Sequence, residues 1–253
     1  GFALLWAMAL SIFATVVLQE MAARLGIVSQ KGLSEIIREE IKHPVVKILA
    51  VILILSAIVI GNAAYEAGNI SGGALGMEAI VGNVFWEIGS IKLNVMSLLI
   101  GIIAFVLLYI GNYNVLEKVF VFLVILMSLA FITTAILTKP NLVEVFKNIF
   151  IPKAPEGSIL SVIALIGTTV VPYNIFLHAS LAKTKWKDNS DLKSAKKDTM
   201  IAVVLGGMVS MCIIIVASAI QKQSITSASD LALGLEPLFG SFAKCFLAIG
   251  LFA

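Results

Sequence analysis

Seven apolar stretches of this chain, residues 1–18, 48–65, 93–116, 119–138, 159–182, 200–220 and 245–253, contain no Asp, Glu, Lys or Arg. Crossing a hydrocarbon layer about 30 Å thick takes about 20 helical residues, so most of these runs have the length of a membrane span. A membrane β-barrel would instead show segments of about 10 residues with alternating polarity, and these runs do not alternate. The sequence therefore predicts an all-α, polytopic membrane protein. Composition agrees: 60% of the 253 residues are hydrophobic, 13% are charged, only 8% are aromatic and 19 are glycine. The apolar excess is aliphatic and interspersed with small residues, as in packed transmembrane helices. Cys212 and Cys245 lie in or beside these runs and read as buried free thiols.

Net charge is only +3, too little to define a polyanionic partner, so no nucleic acid is expected. Where the charge sits is more informative. Alternate connections place 12 of the 18 Lys and Arg residues on one side and 6 on the other, which assigns the richer side to the cytoplasm of a multi-pass cell-membrane protein. The first run then crosses inward, so a further helix is expected before Gly1. No signal peptide is expected there, because neither a basic leader nor a cleavage site accompanies the first run.

In the first cytoplasmic connection Leu33, Ile36, Ile37 and Ile41 recur at helical spacing between charged residues and stop before Pro44. This predicts a surface helix lying along the membrane. The basic run between Lys183 and Lys197 is explained by positive-inside retention, with a nucleic-acid or anionic-lipid patch as the other reading. Asp188 to Asp191 resembles the start of a calcium loop, but Thr199 occupies the twelfth position where a bidentate Glu is needed, so calcium is not assigned.

The span at 159–182 departs most from a plain lipid-facing helix. It carries Gly167, Thr168, Thr169, Val170, Val171, Pro172, Tyr173 and Asn174 near its middle. Proline has no N–H and clashes with the carbonyl four residues earlier, so carbonyls near Thr168 can leave the helical ladder and face a cation. Irregular backbone at membrane depth persists only when buried in protein or lining a polar cavity, so a break here marks a substrate site; a simple proline kink is the other reading. Asn174 and His178, four residues apart, share a helix face and bring an amide oxygen and a titratable group. His178 reads either as part of an ion route or as a hydrogen-bonded packing residue. Helix 48–65 is read as ending with Asn62, Tyr65, Glu66 and Asn69, followed by Gly68, Gly72 and Gly76, whose spacing suits close helix approach. Glu66 reads as a vestibule carboxylate or an ordinary interfacial one. No nucleophile motif accompanies Glu66 or His178, so no catalytic residue is assigned.

With these residues assembled, the chain resembles the Nramp family of divalent-metal transporters, and within it the Nramp-related branch. The stretch GTTVVPYNIFLHASL, from Gly167 to Leu181, is similar to the family's sixth transmembrane helix, with its Met-Pro-His-Asn motif and following Leu-His pair. Leu5 to Glu35, including MAARLGIVSQKGLSE, resembles the second helix and the cytoplasmic loop after it. The resemblance extends over essentially all 253 residues. It implies a leucine-transporter-type inverted-repeat bundle, with residues 1–138 supplying helices two to five of the first repeat and 159–253 the start of the second. It also implies that the first helix, which supplies half of the metal site, is absent from this chain, so that these residues alone do not transport.

On the remaining half, the resemblance places Thr168 as a carbonyl ligand, Val171 at the methionine position and Asn174 near the metal, with Glu66, His178 and Tyr173 along a proton or ion pathway. The departures are Val171 for the thioether, Tyr173 for a histidine, and Ala63 for an aspartate of the proton route. Losing the thioether weakens preference for thiophilic manganese and iron, and makes magnesium a plausible cargo. Fewer titratable groups leave proton coupling open. The expectation is a secondary transporter of manganese, magnesium or iron working by alternating access around 167–174, with the cation as cargo and no resident cofactor. The alternative is a sodium-coupled symporter of amino acids or other small organic solutes on the same fold.

Overall fold

The computed structural model describes residues 2–82, 84–89, 91–111 and 113–219. It contains helices α1 (Leu5–Ser29), α2 (Leu33–Glu40) and α3 (Pro44–Val81), then a hairpin of β1 (Phe85–Ile88) and β2 (Ile91–Asn94). Helices α4 (Val95–Ile110), α5 (Tyr113–Leu137), α6 (Leu142–Phe150), α7 (Ile159–Thr169), α8 (Pro172–Lys185) and α9 (Leu192–Ala219) follow. Six of the seven apolar runs thus fall on helices, and the seventh, 245–253, lies outside the described residues along with Cys245. Among the described residues, five helical segments are long and apolar enough to cross a membrane, with α7 and α8 together forming one of them; α4 is apolar but shorter.

The described residues fall into two compact units. One comprises Phe2–Tyr65 with Leu142–Met211; the other comprises Glu66–Asn141 and the end of α9 from Cys212. In the first unit, α1 packs along α7 and α8, and its tightest approach is at Gly26, where a Cβ would overlap the backbone carbonyl of Ala179 in α8. Below that crossing Ala23, Ile27, Ala182 and Ala195 form a buried cluster with Trp186 and Leu192 against it. Small residues dominate because, with lipid as apolar as leucine, helices gain by close van der Waals approach rather than by escaping water.

The polar groups inside α1 are satisfied locally. The hydroxyls of buried Ser11 and Thr15 donate to the carbonyls of Ala7 and Ser11, each at 2.7 Å. Between Ile48 and Ile60 helix α3 carries no charged residue and is largely exposed, with Leu53 70% and Val59 62% accessible, as suits a face turned to lipid.

Two sequence expectations change here. Helix α3 does not end near Glu66 but runs on through Gly68 and Gly72 to Val81. Among the described residues nothing approaches the positions where Gly68 and Gly72 would carry a Cβ; Gly73 is the close one, with Ile100 of α4 3.2 Å from that position. The hairpin was not foreseen, because its strands are only four residues each and the second half of β2 merges with the start of the apolar run at 93–116. Cys212 is a free, half-buried thiol.

The surface helix is present. α2 ends before Pro44, which opens α3, and the backbone N–H of Gly32 donates to the Glu35 carboxylate at 2.8 Å, half of a capping box. α6 is a second short surface helix, with Val145 buried and Leu142, Val143, Phe146 and Phe150 exposed. At Asp188 to Asp191 the chain makes a single 3-10 turn, where the Asp188 N–H donates to the Asp191 carboxylate at 3.4 Å. These side chains cap a turn.

Candidate functional site

The interruption between α7 and α8 is caused by Pro172. A residue before proline is pushed out of the helical region, and Val171 accordingly has φ −84° and ψ 124°. Val170 closes α7, its N–H donating to Ile166 at 2.9 Å, and Pro172 occupies the first turn of α8, where a missing N–H costs nothing. The break is thus two residues wide, at Val170 and Val171, narrower than the stretch 167–174 expected from sequence. Gly167 stays inside α7, and Tyr173 and Asn174 inside α8.

The Thr168 carbonyl would bond to the N–H of residue 172 in a continuous helix, and Pro172 has none. That carbonyl instead accepts a hydrogen bond at 2.5 Å from the Tyr65 hydroxyl of α3. Tyr65 also meets Tyr173 edge-to-face, with ring centroids 5.9 Å apart. The Thr168 hydroxyl turns back to the carbonyls of Ala164 and Leu165 at 2.8 and 3.2 Å, and Thr169 does likewise to Leu165 at 2.7 Å. Thr168 therefore presents its carbonyl, not its hydroxyl, at the break. A carbonyl oxygen has two lone pairs, so the phenol leaves one available.

Of the residues expected at the site, Thr168, Val171, Tyr173 and Asn174 cluster at the break. Val171 is buried, at 7% exposure, and its carbonyl accepts the Asn174 N–H at 3.2 Å. His178 lies farther along α8, with Nε2 3.1 Å from the hydroxyl of buried Thr199 on α9. Glu66 belongs to the other compact unit, is exposed, and accepts from the Asn69 amide at 3.4 Å. Among the described residues no three His, Cys, Asp or Glu side chains converge, so backbone and amide oxygens are the donors to consider at the break.

Three features escaped the sequence reading. Tyr65 was noted, but not as the donor to the freed carbonyl; the signal was a phenol within an apolar span, which needs a partner when buried. The C-terminal end of α8 is tied down from the α1–α2 connection and from α2: Gln30 donates to the Trp186 carbonyl at 3.4 Å and Lys183 pairs with Glu35 of α2 at 3.5 Å. Glu35 is held below the usual glutamate range, first by the Gly32 N–H and then by the Lys183 ammonium. Glu78 is buried at the end of α3 and accepts from the Asn94 amide at 2.5 Å.

The sequence model of the family described as natural resistance-associated macrophage protein-like, or Nramp, matches residues 1–253. The chain belongs to the Nramp family. Among curated Nramp relatives it is 28% identical to a protein named metal transporter nramp1 homolog from Dictyostelium discoideum, over 100% of this chain and 48% of that protein. Proteins named divalent metal cation transporter MntH from Yersinia pestis and Deinococcus radiodurans are 26% and 28% identical, again over 100% of this chain and over 61% and 58% of theirs. This chain thus spans about half to three fifths of the length of these relatives. Crystal structures of a manganese transporter from Eremococcus coleocola share the fold, with a TM-score of 0.70 at 20% identity over 100% of this chain and 55% of that one. The fold is therefore the leucine-transporter type of Nramp proteins.

Proposed function

We propose that this chain is part of a secondary transporter that carries a divalent metal cation across the cell membrane by alternating access around the Val170–Val171 break. The observation that carries the reading is the Thr168 carbonyl, deprived of its helical donor by Pro172 in a chain that belongs to the Nramp family. At membrane depth, backbone oxygens released in this way take part in coordinating cations. The names of the MntH relatives favour a metal over the organic-solute alternative.

In this reading the Thr168 carbonyl and the Asn174 amide oxygen contribute oxygen ligands, and Val171 lines the site without donating. Such a donor set suits manganese and is hard enough for magnesium, which keeps part of its water shell. Tyr173, His178 and Glu66 are assigned to the proton or ion route. Residues 1–138 and 159–253 would belong to successive inverted repeats. Movement of a doubly charged cation into the cytoplasm is favoured by the membrane potential.

The test is calorimetry and flux on the full-length protein in liposomes. Manganese or magnesium should bind and be taken up, and Asn174→Ala should weaken both. Binding of a small organic solute with no response to either metal would overturn the assignment.

A further inference from the structure

The β1–β2 hairpin separates its two faces by chemistry. Phe85 pairs with Asn94, Trp86 with Leu93, Glu87 with Lys92 and Ile88 with Ile91, so successive pairs point to opposite sides. Beyond its base, one face presents Trp86 and Leu93, which are 62% and 39% exposed, and the other holds the Glu87–Lys92 ion pair at 3.0 Å. Phe85 lies on the charged face, at the base. Gly89, with φ +63°, opens the two-residue turn, as the primed turns of tight hairpins require.

The base is pinned rather than loose. Val95 donates to the Val84 carbonyl at 3.1 Å, and the Asn94 side chain caps α4 by accepting from Met96 and Ser97 at 3.0 and 3.1 Å. The same amide donates to buried Glu78, so the ends of α3 and α4 fix how the hairpin leaves them.

Length then decides where it lies. α4 has 16 residues, about 24 Å of helix, which falls short of a hydrocarbon layer of about 30 Å. The residues flanking α4 make up the difference, and at its Val95 end those are β2 and its partner. A two-stranded ribbon cannot enter the hydrocarbon fully, because the outward N–H and C=O groups of both strands would be left without partners. The depth that satisfies both limits is the headgroup–acyl boundary, where tryptophan is enriched. We infer that the hairpin is a membrane-interface anchor, its Trp86–Leu93 face seated on the acyl chains and its Glu87–Lys92 face in the headgroup water. Its partner is the phospholipid bilayer itself, continuous with the lipid around α3 and α4. This goes beyond the transport reading and does not depend on which solute is carried.

The experiment is tryptophan quenching in liposomes of the full-length protein. Subtracting the emission of Trp86→Phe from that of the unaltered protein isolates Trp86. Its emission should be blue-shifted, lose most of its intensity with lipids brominated high on the acyl chain, lose less with lipids brominated near the chain end, and resist aqueous iodide. Glu87→Trp made in the Trp86→Phe background should reverse the pattern, quenched by iodide and spared by brominated lipid. Iodide quenching of Trp86 without lipid quenching, or identical behaviour at positions 86 and 87, would overturn the inference.

Discussion

The Tyr65 hydroxyl donates to the Thr168 carbonyl at 2.5 Å across 103 residues of sequence, supplying the hydrogen bond that Pro172 withholds. Tyr65→Phe keeps the ring packed on Tyr173 and removes only that donor. A hydrogen bond of this kind contributes about 0.5–1.5 kcal/mol net, so the variant should be destabilised by about that much. If the phenol also orients the carbonyl for a cation, manganese affinity should fall by a factor of about 2–10. Thermal unfolding and calorimetry on the same full-length samples check the two effects separately.

At Gly26 the obstacle to a side chain is the Ala179 backbone, which cannot swing aside. Gly26→Ala should separate α1 from α8 and cost about 1–3 kcal/mol, at the upper end because no rotamer relieves the overlap. Gly68→Ala, at an open position of α3, should be neutral or slightly stabilising, since alanine is the better helix former. A comparison of thermal midpoints in detergent tests both.

Glu35 is exposed and held below its ordinary range by the Gly32 N–H and Lys183. A depressed carboxylate stabilises the fold above its unfolded pKa, about 4.3, and that contribution is lost as pH falls through the lower folded value. The α2–α8 tie should therefore be intact at neutral pH and released only in acid. Protection factors at residues 32–40, which correct for the intrinsic pH dependence of exchange, should fall with acidification in the unaltered protein, whereas Glu35→Gln should be less protected already at neutral pH and lose most of that dependence.

Glu78→Ala would leave the Asn94 amide without its acceptor, at a cost of about 1–3 kcal/mol, while Glu78→Gln retains an acceptor and should cost less. Faster exchange confined to residues 84–97 in the alanine variant is the expected signature.

Val171→Met restores a thioether at the break and should shift competitive uptake by the full-length protein toward manganese over magnesium. Because Val171 is buried, the larger side chain should also lower stability by about 1–3 kcal/mol. An unchanged uptake ratio would place the side chain at 171 away from the cation.

Hydrophobicity and proline chemistry are local properties, and what depends on them was legible in the chain itself. The helical spans, the surface helix before Pro44 and the interruption ahead of Pro172 all follow from residues within a few positions of one another. Only the tertiary structure decided which donor reaches the Thr168 carbonyl, that His178 meets Thr199, that Gly73 rather than Gly68 faces a neighbouring helix, and that Glu78 holds the Asn94 cap. Each of these joins segments distant in sequence. Their pairing depends on the rotation and crossing of helices whose apolar surfaces are nearly uniform, and a uniform surface carries no periodic signal of which face will find a partner.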